Sequence, residues 1–139
     1  MKDVKCAYCV EGELLDAFGI KICELKHSTL ILFKEQSHKG RVIVASRSHV
    51  SEIVDMEEEE RLGFLHDVNR VAKALHAAFS PEKINYGAYG DTGSHTHFHL
   101  VPKYKDDFEW GSVFAMNPGR KYLNLEEYEE IIERIKENL

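Results

Sequence analysis

The chain has no apolar run near the roughly 20 residues that a membrane span requires, and its start, Met1-Lys2-Asp3-Val4-Lys5, leads into no signal-peptide core. These absences predict a cytoplasmic protein with no membrane partner. Basic charge is also short, with 18 Lys and Arg against 24 Asp and Glu and a formal net charge of −6. Broad binding to nucleic acid or an anionic bilayer needs a basic surface that displaces counterions, so neither is an expected partner. A small phosphorylated ligand in one positive pocket is still allowed. The cysteines are only three, Cys6, Cys9 and Cys23, an odd count that does not suit a secreted disulfide framework. Repeats, linkers and low-complexity segments are missing as well. What is present is a chain of 139 residues, 43% hydrophobic and 30% charged, which reads as one domain over 1–139 able to bury a core without disulfides.

Hydrophobic patterning predicts an α+β fold with a mainly antiparallel sheet. Residues 18–25 and 28–34 read as strands around the turn Lys26-His27-Ser28, and Gly40 opens the β-branched run Arg41-Val42-Ile43-Val44-Ala45. Asp55, with Glu58 three residues on, has the form of a capping box, and Glu57 to Glu60 suit the positive end of a helix dipole. Leu62, Leu65, Val68, Ala72, Leu75 and Phe79 follow at spacings of three and four, predicting a long amphipathic helix over 57–79 that ends at Ser80-Pro81. Residues 83–89 read as a further strand and Gly90-Asp91-Thr92-Gly93-Ser94 as a loop. Asn124 is placed to cap a final helix with the stripe Tyr128, Ile131, Ile132, Ile135 and Leu139.

Two motifs carry chemistry. His95-Thr96-His97-Phe98-His99 repeats histidine at every second residue, so on a strand all three imidazoles share one face, with neighbours roughly 6 to 7 Å apart. A row that long cannot ligate one small ion with all three rings, and so it must divide between tasks or lie along one extended ligand. Cys6-Ala7-Tyr8-Cys9 is the spacing by which a turn presents two thiolates to zinc. An inert reduced pair is the bland alternative, and the redox reading lacks the strand-to-helix setting it needs. With two thiolates, histidine must complete a zinc site, and spacing alone allows His95 with any of His27, His38 or His49. His66 and His76 fall on the long helix and read as structural, and Cys23 as a small buried hydrophobe.

Taken together, Cys6-x-x-Cys9, Gly40-Arg41-Val42-Ile43-Val44 closing at His49-Val50, the long helix, Asn85, the 90–94 loop and His95-x-His97-x-His99-Leu100-Val101-Pro102-Lys103 resemble the histidine triad superfamily over residues 6–104. The resemblance implies a five-stranded antiparallel sheet packed with one long helix and a C-terminal helix, usually in a homodimer. It implies activity on phosphorus esters or amides of nucleotides such as dinucleoside polyphosphates and nucleotide phosphoramidates, with His97 as nucleophile. In members carrying the cysteine pair it implies a structural zinc ion held by Cys6, Cys9, His49 and His95, which leaves His97 and His99 for phosphate. Two positions depart from the pattern. Thr96 stands where an apolar residue is usual, and Phe33 stands near the place of an acid that binds the nucleotide ribose, with Glu35 the nearest carboxylate to replace it.

For a nucleophilic imidazole, His97 must be neutral and must donate its other ring N–H to a fixed acceptor, for which a backbone carbonyl is expected. His99 would hydrogen-bond the phosphoryl or leaving-group oxygen. Gly90, Asp91, Gly93 and Ser94, with Asn85 and Lys103, are the candidate substrate-binding residues, the loop offering backbone amides to phosphate oxygens. Competing readings are a nucleotidyltransferase using the same intermediate, a zinc-stabilised nucleotide-binding module without catalysis, and a metal-dependent hydrolase with zinc on His95 and His97.

Overall fold

The computed structural model describes residues 3–139, so Met1 and Lys2 of the amino-terminal reading lie outside the described residues. A short helix α1 (Glu13–Asp16) precedes the strands β1 (Gly19–Glu24), β2 (Ser28–Phe33) and β3 (Val42–Ser46). A 3-10 turn at Ile53–Asp55 leads into α2 (Glu58–Phe79), followed by β4 (Lys83–Gly87), β5 (His97–Lys103) and α3 (Leu125–Glu137). The sheet order is β1-β2-β3-β5-β4 and every pairing is antiparallel, which is the expected α+β architecture. None of the helices among the described residues is long and apolar enough to cross a membrane.

Strand alternation gives the sheet two different faces. Leu30, Leu32, Val42, Val44, Phe98 and Leu100 point toward α2 and α3 and form the main core with Phe64, Val71, Leu75, Ile131 and Ile135. Ile31, Phe33, Ile43 and Ala45 point the other way, into a smaller cluster with Leu15, Tyr8 and Phe18. His97 and His99 belong to this second face, opposite Ala45 and Ile43 in register. The larger core therefore holds the sheet rigid from behind while the smaller one floors a site.

The long helix is present and buries Val68, Ala72 and Leu75 of the expected stripe, with Phe79 packed at the edge of the core, but its first turns are rotated. Leu62 and Leu65 are 60% and 37% exposed, whereas Phe64, Asp67, Val68 and Val71 face inward. Phe64 sets this phase by packing edge-on against Phe98 at 5.5 Å between centroids. Asp67 reinforces it by accepting from the His27 amide at 2.8 Å and the buried Ser28 hydroxyl at 2.7 Å. The Asp55–Glu58 capping box does not form either: Asp55 accepts from the Glu52 amide, and Glu57 precedes α2 with no side-chain cap. Met56, 4% exposed, enters the core in an extended conformation between turn and helix, which moves the helix start past Asp55. Asn124 does cap α3, accepting from the Glu127 amide at 2.8 Å while the Glu127 carboxylate accepts from the Asn124 amide.

Candidate functional site

The histidine row divides where β5 begins. His97 and His99 lie on the strand, but His95 precedes it, because Thr96 turns the chain aside. Both the amide and the hydroxyl of Thr96 donate to the Val50 carbonyl, at 2.7 and 2.8 Å. That double clamp carries His49 against His95. The His95 Nε2 donates to the Ser46 carbonyl at 2.7 Å, which leaves Nδ1 as a lone pair.

Around that lone pair the four candidate ligands converge. The ligand atoms of Cys6, Cys9, His49 and His95 lie within 4.8 Å of one another. Cys9 Sγ is 3.1 Å from His49 Nδ1 and 3.4 Å from His95 Nδ1, Cys6 Sγ is 3.4 Å from His95 Nδ1, and the two Nδ1 atoms are 3.2 Å apart. A tetrahedral zinc site has sulfur–nitrogen separations of about 3.5 Å and nitrogen–nitrogen separations of about 3.3 Å. Donor set and spacing both fit, and the His95–Ser46 bond is the outer contact that orients a ligating imidazole. His27 and His38, the other histidines that spacing allowed, are not in the cluster.

His97 sits beside this cluster and not in it. Its Nδ1 donates to the His95 carbonyl at 2.8 Å, so Nε2 keeps its lone pair. Burial pushes its protonation below the ordinary histidine range against the opposing pull of that carbonyl, which favours the neutral ring. Tyr8 stacks on the ring at 4.9 Å between centroids. His99, 5.4 Å from His97 between centroids, is held by a group the sequence reading passed over. Arg41, fully buried just before β3, brings Nη2 within 3.2 Å of His99 Nδ1. Burial first, then the Arg41 charge and His97, push the His99 ring down to about 3, so it too is neutral at ordinary pH.

A cavity of about 670 Å³ opens over both rings, within the range of small-molecule sites. Tyr8, Phe18, Phe33, Ile43 and Met116 give it apolar walls, and the Gly90–Ser94 loop lines its other side. Gly90 is needed there, since a Cβ would come within 2.9 Å of the Gly93 carbonyl. Gly87, opposite His99 in register, leaves room for Phe114, whose ring a Cβ would meet at 2.7 Å.

The other expected binding residues fall elsewhere. Asn85 shares the sheet face of His99, opposite Val101, but does not line the cavity. Lys103 is 2% exposed, and its ammonium donates to the Glu109 and Ser112 carbonyls at 2.7 Å each, so its charge serves a strap over residues 104–121 and not a phosphate. Glu35 is likewise spent, accepting from the Arg120 and Lys121 amides and from Ser37. It therefore does not replace the acid missing at Phe33. His38 completes the anchoring through Glu109, 2.7 Å from its Nε2.

A family model of the HIT domain, the histidine triad domain, matches residues 18–106. The chain belongs to the histidine triad family. Its cysteine–histidine cluster fits the Cys-x-x-Cys zinc type of that family. The chain is 25% identical over 116 residues to the protein called hit of Bacillus subtilis, covering 78% of each chain. It is also 25% identical over 124 residues to an adenosine 5'-monophosphoramidase of Schizosaccharomyces pombe, covering 83% of this chain and 86% of the relative. Among solved structures, a histidine triad protein of Sinorhizobium meliloti superposes with a TM-score of 0.85 at 25% identity, over 94% of this chain and 96% of that one. A zinc-bound histidine triad family protein of Mycobacterium smegmatis superposes with a TM-score of 0.64 at 22% identity, over 88% and 87%, a likeness of fold.

Proposed function

We propose that this histidine triad protein cleaves a phosphorus amide or ester of a nucleotide through a covalent nucleotidyl-His97 intermediate. The observation that carries this reading is the His97 Nδ1–His95 carbonyl bond of 2.8 Å, which leaves a neutral ring with its Nε2 lone pair unengaged. Nε2 attacks the α-phosphorus, the bond from phosphorus to the leaving nitrogen or oxygen breaks, and the leaving group departs with that electron pair and a proton taken from solvent. The His95 carbonyl meanwhile stabilises the charge that grows on the ring. The His99 ring donates from Nε2 to a phosphoryl oxygen, and the amides of the Gly90–Ser94 loop take the others. Water then hydrolyses the phosphoramidate. The apolar walls at Phe18, Phe33 and Ile43 suit a base. Zinc, when bound by Cys6, Cys9, His49 and His95, would tie the amino-terminal segment to the start of β5 as a closed structural centre.

Charge favours one class among the candidate substrates. The acidic and basic side chains lining the cavity, histidines aside, are Asp3, Lys5 and Asp91, one basic against two acidic, which leaves a polyphosphate chain without neutralisation. A nucleoside monophosphoramidate, with a single ionised phosphoryl group, matches that inventory, and the monophosphoramidase relative points the same way. Transfer of the nucleotidyl group to phosphate in place of water shares the first step and is the second reading. Rapid quenching of turnover, with mass spectrometry of the intact protein, is expected to reveal a nucleoside-monophosphate adduct that His97→Asn lacks. Equal adduct on His97→Asn, or turnover by that variant at the wild-type rate, would remove His97 as nucleophile.

A further inference from the structure

The guanidinium of Arg41 is wholly buried between Phe33 and Phe114, 4.1 and 4.9 Å from the two ring centroids. Among the described residues no carboxylate lies within ion-pair distance of it, and its Nε has no acceptor. Its contacts are the Ala115 carbonyl at 3.1 Å from Nη1, and the Met116 carbonyl at 3.0 Å, His99 Nδ1 at 3.2 Å and Met116 Sδ at 3.5 Å from Nη2. A buried cation whose counter-charges, Glu35 and Glu109, act on it only from beyond ion-pair distance is a costly way to fill space, and an apolar side chain of similar volume is generally more stable there. What arginine supplies that such a side chain cannot is an obligatory donor at a fixed point.

A guanidinium donates and never accepts. Facing it, His99 Nδ1 must therefore present a lone pair, and the single proton of the neutral ring must sit on Nε2. Nε2 has no partner among the described residues, and His99 lines the cavity. We infer that Arg41 is the positioning residue of the phosphoryl-facing histidine: it selects the His99 tautomer that donates into the cavity and locks that choice to the strap wall at Met116. The inference rests on the proposed reading of the cavity as a phosphoryl site. Low His99 basicity agrees with it, because burial and the adjacent guanidinium both oppose a second ring proton. One Nη2 grips both His99 and the Met116 carbonyl, so the aim of the donor and the placement of the wall change together.

The test is a long-range proton–nitrogen correlation of the imidazole rings in 15N-labelled protein, with Arg41→Met as the variant. In the wild type His99 is expected as the Nε2–H tautomer with Nδ1 unprotonated, and in Arg41→Met as the Nδ1–H form or a mixture. For a nucleoside phosphoramidate, kcat of the variant is expected to fall on the order of a hundredfold, as when one oxyanion donor is lost. Binding of the nucleoside monophosphate should stay within about threefold. A merely structural arginine would leave the tautomer alone. A wild-type His99 in the Nδ1–H form overturns the inference without any variant, so failure of Arg41→Met to fold does not shelter it; an unchanged tautomer in a folded Arg41→Met also overturns it. The tautomer is read in the resting protein and the His97 adduct during turnover. A lost adduct with the expected tautomer therefore sinks the catalytic reading while the positioning role of Arg41 stands.

Discussion

Replacing Cys9 by serine tests the metal cluster directly, because the change removes one sulfur ligand with little change of volume. Cys9 Sγ makes close approaches to both imidazoles of the cluster, at 3.1 and 3.4 Å. Through those rings it joins residues 40 and 86 positions away in the chain. A ligand that binds only the folded protein stabilises it by about 2.7 kcal/mol when its free concentration is about a hundredfold above its dissociation constant. For a domain of this length each kcal/mol moves the midpoint by about 4 °C, so loss of the site should lower the zinc-loaded melting temperature by roughly 10 °C. Metal analysis after purification in zinc should find one ion per wild-type chain and markedly less in Cys9→Ser. Chelation should bring the wild-type melting curve down to that of the variant. Cys23→Ser is the control, since Cys23 packs against the main core away from the cluster and should leave metal content unchanged. Equal zinc in wild type and Cys9→Ser, with superposable melting curves, would refute the assignment.

Two further outcomes concern stability. His99 is depressed to about 3 in the folded chain against about 6.5 unfolded, so below about pH 6.5 the unfolded state takes up the extra proton. Stability is then lost as pH falls through that window and is fully present above it, at a rate of up to about 1.4 kcal/mol per pH unit for this group. Urea unfolding at pH 6.5 and pH 5 should show His99→Gln losing less stability than wild type by about 1.5 kcal/mol; equal losses would mean that His99 is not held neutral. Asp67→Ala strips the acceptor from the His27 amide and the buried Ser28 hydroxyl and should cost about 2 kcal/mol in chemical denaturation, with kcat unaffected; a change under about 0.5 kcal/mol would deny Asp67 its role in docking α2.

Much of this molecule was legible in the sequence because the signals were local. Apolar and β-branched runs bounded by turns located the strands, the Ile43-Val44 run and His97 and His99 fell on paired strands, and Asn124 announced the start of α3. The need to divide a row of three imidazoles also followed from strand geometry alone. The phase of the first turns of α2 was not legible. Leu62 and Leu65 are better hydrophobes than Asp67, yet Asp67 is the residue buried, since two donors from the β1–β2 turn wait for it. Asp55 carried a capping pattern, and the nearby Met56, by entering the core, overrode it. In each case a contact distant in sequence decided between locally plausible outcomes. Thr96, a departure from the family pattern, is explained by such a contact too, since only a hydroxyl adds the second bond to the Val50 carbonyl.

The strap and Arg41 were hidden for a related reason: Lys103, Glu35 and His38 carry groups that suit a ligand as well as a loop, and this fold buries them with Arg41 beside one segment. Lys103, Glu35, His38 and Arg41 are each 3% exposed or less, and each is occupied by the 104–121 stretch or by a carbonyl or carboxylate from it. Phe33 belongs to the same arrangement. Its ring lies 4.1 Å beneath the Arg41 guanidinium and meets His99 edge-on at 5.5 Å between centroids. An acid at this position, which the family resemblance leads one to expect, would stand beside a buried cation that has no carboxylate within ion-pair distance and would draw it into an ion pair. The Arg41 donor would then be shared with a carboxylate, and its hold on His99 Nδ1 would weaken. Phenylalanine at 33 and arginine at 41 are therefore compatible as a pair: the aromatic face stabilises the cation while leaving its N–H groups to the histidine and the strap.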